Sequence, residues 1–257
     1  MSAILRADDI SVSLGARRIV ERARVKLRRG ELAVLIGPNG AGKTTLIRAL
    51  AGLLPAQGRI ALEDKPLSHF DPRERARRIA YLPQGNTFHW PMTVAAVVAL
   101  GRYPHGDPFA SPTEEDKTAV CDALAATATT PFSERPVTAL SGGERARVAL
   151  ARALATRAPV LLADEPIVSL DARHQLVVMN VLRDTARKGA AVLAVLHDLA
   201  LAARFADHVL LMQDGQIVTQ GEVKDVLTET RIAQVFGVAA QMTETGGARV
   251  PLPYRAL

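Results

Sequence analysis

The chain has 257 residues, 48% of them hydrophobic, 23% charged and 4% aromatic, with a formal net charge of +6. This length and apolar content supply a full core, and no apolar run reaches the roughly 20 residues that a membrane-spanning helix needs. The low aromatic content argues against ring platforms for stacking single-stranded bases, and the single cysteine, Cys121, excludes an internal disulfide. The first residues lack the basic start and apolar centre of a secretory signal, so a cytoplasmic setting is expected. The positive charge alone suits nucleic acid, an anionic membrane or an anionic ligand equally. Arginines gather at 17, 18, 22, 24, 28 and 29 and at 73, 75, 77 and 78, interspersed with apolar residues. That pattern reads as solvated faces. No internal repeat or low-complexity linker is present.

In chain order, Ile4 to Leu14 and Ile19 to Leu27 alternate as half-buried strands, and Gly58 to Leu62 adds a third. They predict a small antiparallel sheet. Leu32 to Ile36, Val160 to Ala163 and Ala191 to Leu196 are short apolar runs separated by helical patterns, which predicts parallel strands with crossover helices. Ligand chemistry is then expected at the strands' carboxyl ends. From Gly85 to Leu154 the pattern is helical, cut into short pieces by Pro91, Pro104, Pro108, Pro112, Pro131 and Pro136. Asp214-Gly215, between Val209 to Gln213 and Gln216 to Val218, predicts a two-residue hairpin turn. Two short helices and a Gly246-Gly247 tail are expected after Glu222. Together these elements predict an α/β domain over residues 1–257. Its core and antiparallel lobe cover 1–84 and 155–220, a helical lobe covers 85–154, and a short C-terminal helical tail covers 221–257.

Gly37-Pro38-Asn39-Gly40-Ala41-Gly42-Lys43-Thr44 follows the strand Leu32 to Ile36 and opens a helix expected over Lys43 to Leu53. This is the P-loop pattern in its required setting. Backbone N–H groups of the glycine-rich turn cradle phosphate oxygens, Lys43 reaches the terminal phosphates, and the Thr44 hydroxyl can ligate Mg²⁺. Thr45 follows on the same helix end. The apolar strand Val160 to Ala163 ends in Asp164-Glu165, a carboxylate pair that is costly at a buried strand end unless a metal or water uses it. Asp164 is expected to hold Mg²⁺, and Glu165 to orient and polarise the attacking water. A small-molecule kinase, a GTPase or other ATPases would share these two motifs.

Leu140-Ser141-Gly142-Gly143-Glu144 narrows the choice. It precedes the apolar-periodic stretch of Val148, Leu150, Ala151 and Leu154, which places Ser141 and both glycines at a helix N-terminus. The sequence resembles the signature of ATP-binding-cassette (ABC) proteins, with Glu144 and Arg145 where glutamine and a basic residue are common. Gln84, Ser169-Leu170-Asp171 and His197 fall in that family's usual order. The resemblance spans essentially the whole chain. It implies a P-loop NTPase cassette with a RecA-like core, an N-terminal antiparallel β subdomain and an inserted helical subdomain.

The resemblance also implies an ATPase mechanism. Two cassettes pack head to tail, so that Ser141, Gly142 and Gly143 of one face the terminal phosphate held by Lys43 of the other. His197 would contact the γ-phosphate, Gln84 would reach Mg²⁺ or water, and Asp171 would link the two sites. Two positions depart from the family's habit: Leu14 stands where an aromatic ring commonly stacks on adenine, so stacking should be weaker, and Ile167 stands where threonine is frequent.

The stretch from Gly85 to Val94, including Phe88, His89 and Trp90, is where such cassettes meet a permease's coupling helix. Val97 to His105 resembles cassettes of importers for iron chelates, haem and cobalamin, haemin-importer ATPases being most similar. This implies a homodimer of cassettes on two copies of a multi-spanning permease, at the cytoplasmic face of a bacterial inner membrane. A periplasmic substrate-binding protein is an indirect partner, and no nucleic acid is expected. The cargo stays open among haem, a siderophore-bound iron and cobalamin. A repair ATPase of this superfamily would carry a long coiled coil or zinc cysteines between Gln84 and Ser141, and an exporter half would carry fused membrane helices. A translation-associated protein would usually carry two cassettes. A non-catalytic ATP-binding scaffold would be expected to lose Glu165 or His197.

Overall fold

The computed structural model describes residues 3–85, 87–106 and 110–257. Asn86 and Pro108 therefore lie outside the described residues. Strands β1 (Ala3–Leu14), β2 (Arg17–Arg28), β4 (Gln57–Leu62) and β5 (Lys65–Pro66) form an antiparallel sheet in the order β2-β1-β4-β5. A second sheet has the order β10-β9-β3-β8-β7-β6. It contains β3 (Leu32–Ile36), β6 (Ile79–Leu82), β7 (Val160–Asp164), β8 (Ala191–Val195), β9 (His208–Gln213) and β10 (Gln216–Gly221). The first five run parallel and β10 returns antiparallel on β9.

The continuous apolar runs of β3, β7 and β8 have a direct cause: both faces of this sheet are covered. Leu32, Val34 and Ile36 face one core cluster, while Ala33 and Leu35 face the other, which fills the space toward the antiparallel sheet. Helices α1 (Lys43–Leu50), α2 (Pro72–Arg78), α6 (Ala172–Arg187) and α7 (Leu199–Phe205) belong to this body. The first helix stops at Leu50 rather than Leu53, and Gly52 just beyond it takes a left-handed conformation (φ 69°).

The inserted lobe contains α3 (Val94–Ala99), α4 (Glu114–Ala126) and α5 (Gly142–Ala155) around Val94, Val97, Val98, Leu124, Val137 and Val148. An ion pair fixes its base. Arg102, 7% exposed, donates from Nε to Asp116 Oδ1 at 2.8 Å and from Nη1 to the Ala155 carbonyl at 3.1 Å. Asp116 also accepts from the Thr113 N–H and hydroxyl, closing a capping box on α4. Cys121, on the same helix, is exposed.

Hydrogen bonds from Arg102 and then Thr113 hold the Asp116 carboxyl down to about 2, against an ordinary 3.8. A depressed carboxyl contributes its stability above the ordinary range and loses it as the pH falls toward 2. Asp116→Ala, which strands a buried guanidinium, is expected to cost about 3 kcal/mol and several degrees of melting temperature. Melting curves at pH 6 and pH 3 should show the variant's deficit shrinking at the lower pH.

The C-terminal segment differs from its expected form. Helices α8 (Val223–Val226) and α9 (Glu229–Phe236) are present, but the glycine tail is the turn of a hairpin formed by β11 (Val238–Thr245) and β12 (Ala248–Ala256). Gly246 and Gly247 both adopt positive φ, as a two-residue hairpin turn requires. Ala240 and Val250 bury into the main core, which is why the segment folds back instead of trailing.

Candidate functional site

The site lies at the carboxyl ends of β3, β7 and β8. Gly37 leaves β3 so close to the next strand's backbone that a Cβ there would sit 2.0 Å from the Met212 carbonyl oxygen. Only glycine fits. The loop is pinned from outside by the Asp214-Gly215 turn, where the Gly215 N–H donates to the Ala41 carbonyl and the Gly215 carbonyl accepts from the Glu21 N–H. Gly42 caps α1 in a left-handed conformation (φ 99°). Its missing side chain leaves room for the Ile19 carbonyl, which would lie 2.8 Å from a Cβ. Lys43, 5% exposed, folds back over the loop and donates to the Gly37 and Pro38 carbonyls, both at 2.9 Å. Burial lowers its ammonium below the ordinary value, an effect that Glu165 and Asp164 oppose.

Asp164 is 1% exposed and accepts from the Thr44 hydroxyl at 3.1 Å and the Tyr81 hydroxyl at 3.1 Å. Burial raises its carboxyl, because a charge removed from water needs compensation that two neutral hydroxyls only partly give. Burial and the adjacent Asp164 charge also push the Tyr81 phenol well above its ordinary range. The Thr44 and Asp164 oxygens are a hard-oxygen pair of the kind Mg²⁺ takes, and the uncompensated carboxylate fits a cation.

Glu165, the next residue, has a positive φ of 52°, a conformation non-glycine residues seldom hold outside constrained sites. One of its oxygens accepts from Gln84 Nε2 at 2.6 Å, and the other lies 2.6 Å from His197 Nε2. Three expected residues from β6, β7 and β8 therefore meet, with Gln84 and His197 both on the carboxylate. The cleft in front of them, about 340 Å³, is lined by Leu14, Arg17, Ile19, Asn39, Gly40, Gly42, Lys43, Thr44, Thr45 and Glu165.

Ser141, Gly142 and Gly143 do not line that cleft. Ser141 caps α5: its hydroxyl accepts from the Glu144 N–H at 3.3 Å, and the Glu144 carboxylate accepts from the Ser141 N–H at 2.8 Å. That backbone hydrogen bond lowers the Glu144 carboxyl. The position of a Cβ on Gly142 has nothing within 4 Å, whereas on Gly143 it would press the His174 ring at 3.2 Å. Asp171 caps α6 and binds His174 through its ring nitrogen and its backbone N–H, the latter lowering the Asp171 carboxyl.

Tyr81 and the Met212 carbonyl have no signal in the sequence, and Arg17, which reads there as part of a solvated arginine face, lines the cleft. Tyr81 sits in an apolar strand where an aromatic reads as packing, and the backbone role of Met212 has no side-chain signal. Ile167 is 5% exposed and buried in the main core beside Leu170.

A parallel sheet, a P-loop, a metal-ready Thr–Asp pair and a clamped glutamate at adjoining strand ends define a P-loop nucleotide-hydrolysing cassette. The ABC transporter family pattern matches residues 20–168. The hemin import ATP-binding protein of Rhodococcus jostii is 43% identical over 98% of this chain and 86% of its own length. The ferric enterobactin transport ATP-binding protein of Escherichia coli is 37% identical over 96% of this chain and 92% of its own.

Among solved structures, an inward-facing transporter described as of metal-chelate type superposes with a TM-score of 0.85 at 25% identity, covering 100% of this chain and 98% of the other. The ADP conformation of an ATP-binding cassette superposes at 0.79 and 26% identity, covering 92% of this chain and 99% of the other. The chain belongs to the ABC transporter family and is an ATP-hydrolysing subunit of it; cassettes of this family bind nucleotide. No helix among the described residues is long and apolar enough to cross a membrane.

Proposed function

We propose that the chain powers haem import through a separate permease, as a peripheral subunit at the cytoplasmic face of a bacterial inner membrane. The observation that carries this is the likeness, over 98% of this chain and 86% of the relative, to a hemin import ATP-binding protein. The two lobes and the C-terminal segment act as one domain over residues 1–257.

In the nucleotide cleft, the backbone of Gly37, Pro38, Asn39, Gly40, Ala41 and Gly42 cradles the phosphates, with Thr44 and Thr45 at the helix start. Lys43 exchanges its two loop carbonyls for the terminal phosphates. Thr44 and Asp164 would hold Mg²⁺, with Gln84 completing the set. The ion, when bound, neutralises charge building on the phosphate oxygens. Glu165 orients the attacking water and takes up its proton; Gln84 and His197 keep the carboxylate aimed. His197 then meets the γ-phosphate.

A second copy supplies Ser141, Gly142 and Gly143. The open space at Gly142 and the exposed N-terminus of a 14-residue helix support that role. Asp171, beside this tip, links one site to the other. Two permease copies dock on the helical lobe, where Trp90 is 75% and Tyr103 64% exposed, and a periplasmic binding protein delivers the cargo. Phe88, by contrast, is half-buried against the lobe core.

The test is ATP-dependent uptake in vesicles containing cassette, permease and binding protein. Labelled haemin is expected to enter. Faster entry of a ferric siderophore, which the likeness to the enterobactin relative makes the alternative, or of cobalamin would replace haem as the cargo.

A further inference from the structure

The cleft has two ends with different chemistry. Lys43, Thr44 and Glu165 mark where the terminal phosphate goes, so a bound nucleotide must extend its base toward the opposite end, lined by Leu14, Arg17 and Ile19. These three share one surface. Leu14 and Arg17 are direct cross-strand partners beside the Gly15-Ala16 turn, and Ile19 lies two residues further along the same strand. Opposite pairs and alternate residues point to the same side of a sheet. The Ile19 carbonyl touches the start of α1 at Gly42, so this surface begins where the phosphate cradle ends.

Among the described residues, no aromatic ring lines the cleft. Arg17 is exposed and in no ion pair among the described residues, whereas its neighbour Arg18 is engaged by Glu21. A guanidinium is planar and can lie against a purine face. It also carries only donors, which suit the N7 acceptor of adenine and the N7 and O6 acceptors of guanine. Beside it stand two aliphatic side chains. Among the described residues lining that end, Leu14, Arg17 and Ile19, no side chain offers an acceptor to the adenine amine, so their side chains do not favour adenine over guanine.

We propose that Arg17, laid across a base supported by Leu14 and Ile19, is the nucleobase platform of this cassette, and that the site consequently binds guanine as well as adenine nucleotides. The inference rests on the nucleotide cleft as assigned above. Arg17 is a positioning residue: it holds the base and touches no reacting atom.

The test is equilibrium binding to the full chain by calorimetry, in EDTA to prevent turnover, with ATP, GTP, CTP and inorganic tripolyphosphate as probes. ATP and GTP are expected to bind within about three-fold of each other, and both more tightly than CTP, whose smaller ring covers less of the platform. Arg17→Ala should weaken ATP and GTP about five-fold and leave tripolyphosphate unchanged. Arg17→Lys, which keeps the charge but loses the plane, should recover only part of the loss. Leu14→Tyr in the Arg17→Ala background should restore purine binding through ring stacking. In steady state with Mg²⁺, Arg17→Ala should raise KM for ATP with kcat unchanged.

An equal loss for tripolyphosphate would make Arg17 a phosphate contact and overturn the proposal. So would unchanged ATP binding, or a ten-fold preference of the native chain for ATP over GTP. Failure of the native chain to bind ATP or tripolyphosphate at all would instead remove the cleft assignment beneath it.

Discussion

Glu165→Gln is expected to lower ATP turnover by about 10²- to 10⁴-fold while leaving ATP binding close to native. The size of the effect follows from where the carboxylate sits. It stands at the end of a buried strand, in a left-handed backbone conformation, with one oxygen on Gln84 and the other on His197. Glutamine matches its shape but cannot accept a proton, and its amide places a donor where one of those two donors now binds. Phosphate release from purified protein, set against nucleotide binding by calorimetry, separates the two effects. Equal turnover by native and variant protein would remove Glu165 from the chemistry. Under the proposed pairing, which hydrolysis would open, the variant with ATP should also accumulate as a dimer on sizing columns.

Ser141→Arg should have the second large effect, on assembly instead of chemistry. The single chain leaves Ser141, Gly142 and Gly143 outside the Lys43 cleft, so under the proposed pairing the phosphate they meet is held by the other copy. Each charge-assisted hydrogen bond to that phosphate contributes about 1.5–3 kcal/mol, and an arginine at the tip blocks several together. ATP should still bind the cleft, while the ATP-dependent dimer measured by sedimentation weakens at least about 100-fold. Ser141→Thr keeps a hydroxyl cap for α5 and should dimerise normally, which separates loss of the cap from loss of the contact. Undiminished haemin uptake by vesicles carrying the arginine variant would refute the trans role.

Most of the nucleotide site was legible because its residues announce backbone geometry as well as chemistry. Gly37 and Gly42 stand where other backbones approach within contact distance, and the Asp164-Glu165 pair ends an apolar strand that has no other reason to carry charge. Other features were not legible. The terminal hairpin carries Pro251 and Pro253, which a two-stranded ribbon tolerates because only one side of β12 has a partner to receive an N–H. The first helix ends early because Gly52 turns left-handed, a choice that helix-forming neighbours do not signal. Gln84 and His197 were expected on the metal or the phosphate. Their shared hold on Glu165 depends on β7 running between β6 and β8, an order that spacing along the chain does not encode.

Cys121 on α4 carries the chain's single thiol, and it is open to solvent. A maleimide dye or nitroxide attached there needs no other residue removed, and a symmetric pair of subunits would carry two identical labels. Their separation would then report whether the helical lobes move during turnover, read on the otherwise native sequence.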